Sequence, residues 1–179
     1  MSLRRIKTLL TVSMVFAAVM LIVPSSADAE LFWEGCTPGF WKTHPGWWPV
    51  DHGIEGLPPL APNTPLCDVF MNVSLYDLCF NQKGNPITLM DALKFKGGKG
   101  ELGAARIFLR HSVAALLNLV HQDVSYRGER SGVHDPIEHL VNPVDMILSY
   151  MDRQAMLRQA DLYDSWNNWY CPLGGNKNR

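Results

Sequence analysis

Residues 101–122 read ELGAARIFLRHSVAALLNLVHQ. Ala, Leu and Arg are strong helix formers, and no proline interrupts the run. Apolar residues surround this helix almost completely, which marks it as buried on most sides. Arg106, Arg110 and His111 break the apolar surface and argue against a membrane span. The two arginines are four apart and share a face. A buried unpaired charge is costly, so at least one of them is expected to meet a carboxylate. Asp91, Glu138 and Asp145 are the candidates.

On either side of this run the pattern stays helical. Upstream, Thr88 can cap a helix carrying Leu89, Met90, Ala92 and Leu93, with Gly97-Gly98 as the stop. The intervening KGGKGELG lacks the Gly-Lys-Ser/Thr ending and the preceding strand of a phosphate loop, so it reads as a helix–turn–helix linker. Downstream, Asn142-Pro143 reads as a cap followed by proline in the first turn, and Val144, Ile147, Leu148 and Met151 give that helix its apolar side. Asp152 can cap a last helix through Met156, Leu157, Ala160, Leu162 and Trp166, ending within 168–171. No convincing strand period and no internal repeat occur. The expected fold is mainly α: a small helical bundle, stapled by disulfides, with a long N-terminal coil rich in Pro and Gly.

That coil is residues 43–67, with prolines at 45, 49, 58, 59, 62 and 65 and glycines at 46, 53 and 56. An ordered stretch this long without periodic structure is often functional or draped over the core. Residues 69–80 suit either a short helix or a strand, and Gly84-Asn85-Pro86 is a turn.

The N-terminus carries Arg4, Arg5 and Lys7, an uncharged apolar run over 9–23, and the small-x-small site Ala27-Asp28-Ala29. This is the pattern of a signal peptide over residues 1–29, with a single extracellular domain over 30–179. The apolar run is shorter than the roughly 20 residues a spanning helix needs. Lys7 disfavours the twin-arginine route, so general secretion is expected, and Cys36 has no lipobox before it. Without the leader, 13 Lys and Arg face 16 Asp and Glu. A mildly acidic chain without charge blocks is a poor nucleic-acid partner. Membrane contact is expected only through the signal segment.

Four cysteines in an exported chain read as two disulfides, with three possible connectivities. Cys67 and Cys79 flank a short segment and can close a local loop. Cys36 and Cys171 would then tie the ends of the domain, stabilising it by on the order of 4 kcal/mol.

The segment EGCTPGFWKTHPGWWP, residues 34–49, concentrates aromatic surface where Pro and Gly oppose long regular elements. Thr37-Pro38-Gly39-Phe40 suits a type II turn, with Gly39 at the position of positive φ. Phe40 and Trp41 are expected in the core. Trp47 and Trp48 are adjacent in an extended segment and cannot both point inward, so one should be partly exposed. Lys42, His44, Trp47, Trp48, Asp51 and His52 form the candidate binding surface. His44 and His52, with Asp51 and a third ligand such as His111 or His121, raise the possibility of zinc or copper. A satisfied structural role is the expected one, since no His-Glu-x-x-His spacing is present. Ser112 lacks a nucleophile elbow, and no cofactor is expected.

The motifs GCTPGFWKTH, LMDALKFKGG, RHSVAALLNLVH and NNWYCPL together resemble a domain family of secreted and surface proteins of bacteria and archaea. That family opens with Cys-Thr-Pro-Gly-aromatic-Trp-Lys-x-His. The resemblance spans most of residues 36–173 and implies an extracellular module with no established catalytic activity. Cys67 and Cys79 are not part of the shared pattern. The expectation is a non-catalytic binding or assembly module whose partner is a protein or polysaccharide at the cell surface. The alternative is a secreted metal-dependent hydrolase with a site around His44.

Overall fold

A computed structural model describes residues 33–126 and 135–174. The expected leader and its cleavage site lie outside the described residues. The described chain is mainly helical, and its β pairing is confined to isolated bridges, such as those of Glu34 with Tyr126 and with Tyr170.

Helix α1, Pro38–Thr43, replaces the expected type II turn. Thr37 is extended, and its hydroxyl accepts from the Phe40 N–H at 3.1 Å. Pro38 occupies the first turn, where a missing N–H costs nothing. Gly39 is therefore helical, and its φ is not positive. A one-turn 3₁₀ helix, Pro45–Trp47, follows, and the chain then runs as an ordered coil. The ambiguous segment resolves as helical: α2, Leu66–Val69, then a 3₁₀ helix, Met71–Tyr76. Asp77, left-handed at φ 54°, ends it.

Thr88 caps α3, Leu89–Ala92, in a full capping box with Asp91. This helix stops before Gly97, because its last turn tightens and the Lys94 N–H donates to the Asp91 carbonyl. The long helix α4 spans Gly100–Val120. A Cβ on Gly103 would run into the Gly98 backbone, so glycine permits the close approach at its start. Asn142 is not a cap. Its φ and ψ of −60° and −46° are helical, and α5, Asn142–Ser149, continues directly from a π turn, Ile137–Val141. Asp152 does cap α6, Arg153–Asn167, accepting from the Gln154 and Ala155 N–H groups at 2.7 and 3.1 Å.

Helix α4 is the centre of the bundle, with α6 as its main neighbour and α1 and α3 also packed against it. Phe108, Leu109, Leu116 and Leu117 of α4 are fully buried with Trp41, Leu148 and Met156. Burial of each such side chain stabilises by roughly 1.5–3 kcal/mol. Helix α5 rests on the Met71–Tyr76 turn, where the Asp145 carboxylate accepts from the N–H groups of Met71 and Asn72.

The two arginines do not meet the expected carboxylates. Among the described residues, Asp91 pairs with Lys94, Asp145 serves the Met71–Asn72 backbone, and neither Arg106 nor Arg110 has a carboxylate partner. Leu102, Arg106 and Arg110 lie along a stripe of α4 that is not fully covered, so both charges keep access to water.

The disulfides are Cys36–Cys171 and Cys67–Cys79, the nested pairing, with Cα separations of 4.6 and 5.4 Å. No described cysteine is free. Two disulfides fit an oxidising, extracellular environment. Among the described residues no helix is long and apolar enough to cross a membrane. Gly35, next to the long-range bridge, lies so close to the Trp166 carbonyl that an added Cβ would collide with it.

Candidate functional site

The aromatic segment is held from below by one amide. Asn118 of α4 is fully buried. Its Oδ1 accepts from the Cys36 N–H at 2.8 Å and from Trp41 Nε1 at 3.1 Å. Its Nδ2 donates to the Cys36 carbonyl and to Asn167 Oδ1, both at 2.9 Å. Both lone pairs and both hydrogens are used, which fixes the amide orientation. Asn167 extends the chain, accepting from the Tyr126 hydroxyl and donating to the His111 carbonyl. One network therefore ties the disulfide, α1, α4 and α6 together.

Trp41 is fully buried above this hub. Phe40 is half-buried at the edge of the core, its ring stacked on His44 at 4.4 Å. Trp48 is 5 % exposed, and its Nε1 donates to the Trp41 carbonyl at 3.0 Å. Trp47, just before it in the chain, is 45 % exposed. The two tryptophans divide as expected, one inward and one outward, although Trp47 ends a 3₁₀ turn and does not lie in the expected extended segment.

Trp47 stands over an open cleft of about 420 Å³ between the coil after α1 and the end of α4. Trp48, Asp51, His52, His121, Gln122 and Asp123 share the lining. The His121 ring sits between Trp41 and Trp47, with centroids 5.8 and 6.4 Å away. Its Nδ1 accepts from the Asp123 N–H at 3.2 Å. Burial pushes the His121 pKa down, against the opposing pull of Asp123 and of the hydrogen bond to the Trp47 backbone. A neutral, buried imidazole thus braces the exposed indole from behind. His52 braces the far wall: its Nδ1 accepts from the Ile54 N–H, which leaves Nε2 to donate to the Pro58 carbonyl, both at 3.0 Å.

Two sequence candidates lie elsewhere. His44 is exposed but closes the end of α1, its Nδ1 3.0 Å from the Phe40 carbonyl. Lys42 faces a different pocket, with Arg110, His111 and Asp164. His111 and His121 line separate pockets, and among the described residues no three His, Cys, Asp or Glu side chains group as a metal would need.

The cleft therefore offers one rigid aromatic face, carboxylates at Asp51 and Asp123, and the Gln122 amide. Sequence reading missed Gln122 and Asp123, which reach the site only because α4 ends beneath Trp47. It also missed Asn118. An amide inside an otherwise apolar buried run was the available signal, since buried polar groups are nearly always bonded. No family model matches the chain, and no curated protein or solved structure matches it.

Proposed function

We propose that this is an exported, non-catalytic binding module whose cleft beneath Trp47 takes a carbohydrate chain at the cell surface. The observation that carries the reading is the asymmetry of the adjacent tryptophans: Trp48 is locked inward while Trp47 stands 45 % exposed over a cleft edged by Asp51, Gln122 and Asp123. An indole face suits the apolar face of a sugar ring, and carboxylate and amide groups suit its hydroxyls. Recognition sites of this kind are concave and largely preformed, with a few polar groups fixing orientation. The backing by His121 orders Trp47 in advance, so binding loses little side-chain entropy.

The two disulfides support an extracellular location. The leader expected to end at Ala29 supports general secretion as the route, as do the motifs that resemble those of secreted surface domains. The test is co-sedimentation of the disulfide-intact domain with insoluble cell-wall polysaccharide. Retention should fall at least about tenfold in Trp47→Ala, the loss of roughly 1.4 kcal/mol or more expected at a contact hot spot. Equal retention of wild type and Trp47→Ala would remove the cleft as the binding site.

A further inference from the structure

A second, smaller pocket of about 240 Å³ opens between α1, α4 and α6, and none of its lining residues lines the Trp47 cleft. Lys42, Arg110, His111 and Asp164 provide its charged and titratable groups. Arg110 Nη2 donates to His111 Nε2 at 2.9 Å, so Nε2 is the acceptor and the ring hydrogen sits on Nδ1. Nδ1 lies 3.3 Å from Asp164 Oδ1 but makes no hydrogen bond to it. Asp164 is held in turn by the Asn168 amide at 2.7 Å. The imidazole is 5 % exposed and kept neutral by burial and by Arg110. Arg110 is therefore oriented by His111, yet its charge is not neutralised by the group it touches.

Guanidinium has five N–H donors. Among the described residues one acceptor, His111 Nε2, meets them, and Nε is shut off from solvent with no partner. Lys42, exposed at the end of α1, adds a second positive charge without a carboxylate partner among the described residues. With Asp164 as the one acidic group, the lining carries a net charge of +1. A planar fork held in place matches a planar anion. The net charge matches a monoanion, and Asp164 in the wall opposes a second negative charge.

We propose that the Lys42–Arg110 pocket binds a single carboxylate group of a ligand, with Arg110 as the fork and Lys42 as the rim charge. The probe is sodium acetate, added to the folded, disulfide-intact protein while the arginine Nε–Hε signals are followed by NMR. Sodium chloride at matched ionic strength and sodium phosphate are run in parallel. The Arg110 signal, identified by its absence in Arg110→Gln, should move with acetate to saturation. Chloride should give no saturating shift, and phosphate should bind more weakly than acetate. Backbone signals lining the pocket should lose their acetate response in Arg110→Gln. Lys42→Met, at an exposed position that keeps the fold, should weaken acetate binding by about threefold. Tighter binding of phosphate would overturn the carboxylate assignment. The site itself would be overturned by a non-saturating acetate response, by an unchanged affinity in Lys42→Met, or by retained pocket shifts in a folded Arg110→Gln.

Discussion

Asn118 is the residue on which the aromatic segment depends, because it holds both backbone polar groups of Cys36 and the Trp41 indole. Asn118→Asp keeps the shape and the Oδ1 acceptor, but it turns an oxygen toward the Cys36 carbonyl and Asn167 Oδ1. The loss of two buried hydrogen bonds and the new repulsion should cost about 3 kcal/mol or more, read from urea unfolding. A loss under about 1 kcal/mol would mean the network is dispensable. That one of Trp47 and Trp48 is exposed was legible in the sequence, but the reason was not: Trp47 ends a 3₁₀ turn and does not lie in an extended segment. Which one turned inward was not legible. That depends on the carbonyl of Trp41, seven residues away, accepting from the Trp48 indole. The partner of Arg110 was also hidden: the expected carboxylate is replaced by the imidazole of its neighbour in the chain.

The caps of α3 and α6 were readable, since Thr88 and Asp152 bond within their own first turns. The run of α4 was readable too, to within two residues at its C-terminus. Helix α1 was not, because Thr37-Pro38-Gly39 suits both a type II turn and a capped helix. Packing on α4 decides between them. The coil from 48 to 64 follows no periodic pattern and is held by contacts a few residues apart, such as His52 with Pro58 and Thr64 with Pro59. Helix α4 also carries the pH response. His111, within it, and His121, at its end, both have pKa values below the usual 6.5, chiefly from burial. His111 is depressed further by Arg110 and partly restored by Asp164 and Asp161. Well above 6.5 both are neutral in the folded and the unfolded chain, and no stability is lost to them. As pH falls below that value the unfolded chain takes up protons first, so stability should drop until the folded imidazoles protonate. Asp145 acts oppositely at more acid pH, since burial raises its pKa and the folded chain takes up that proton first. Urea midpoints measured from pH 7.5 to 5 should therefore decline. His121→Asn, which offers an acceptor near the Nδ1 position and does not titrate, should flatten part of the decline. A midpoint independent of pH in the wild type would contradict this assignment.

At the scale of the molecule, Cys36–Cys171 closes a span of 135 residues and Cys67–Cys79 one of 12. In the chain-entropy account, opening the first should cost roughly 4–5 kcal/mol and the second about 3 kcal/mol. Paired Cys→Ala variants compared by urea unfolding would show the order, and a larger loss for the short bridge would contradict it. The long bridge sits beside Asn118, so disulfide, amide hub and Trp41 act as one clamp, while the coil beyond Trp41 lies over the end of α4. The central claim is that this clamp uses Trp41 and Trp48 to hold the fold and leaves Trp47 outside for a ligand. Unfolding free energies of Trp47→Ala and Trp48→Ala, measured side by side, test it most directly. Trp48→Ala should lose about 3–5 kcal/mol as a buried tryptophan does, and Trp47→Ala should stay within about 0.5 kcal/mol of wild type. Comparable losses in the two variants would contradict the account, because the whole segment would then be core.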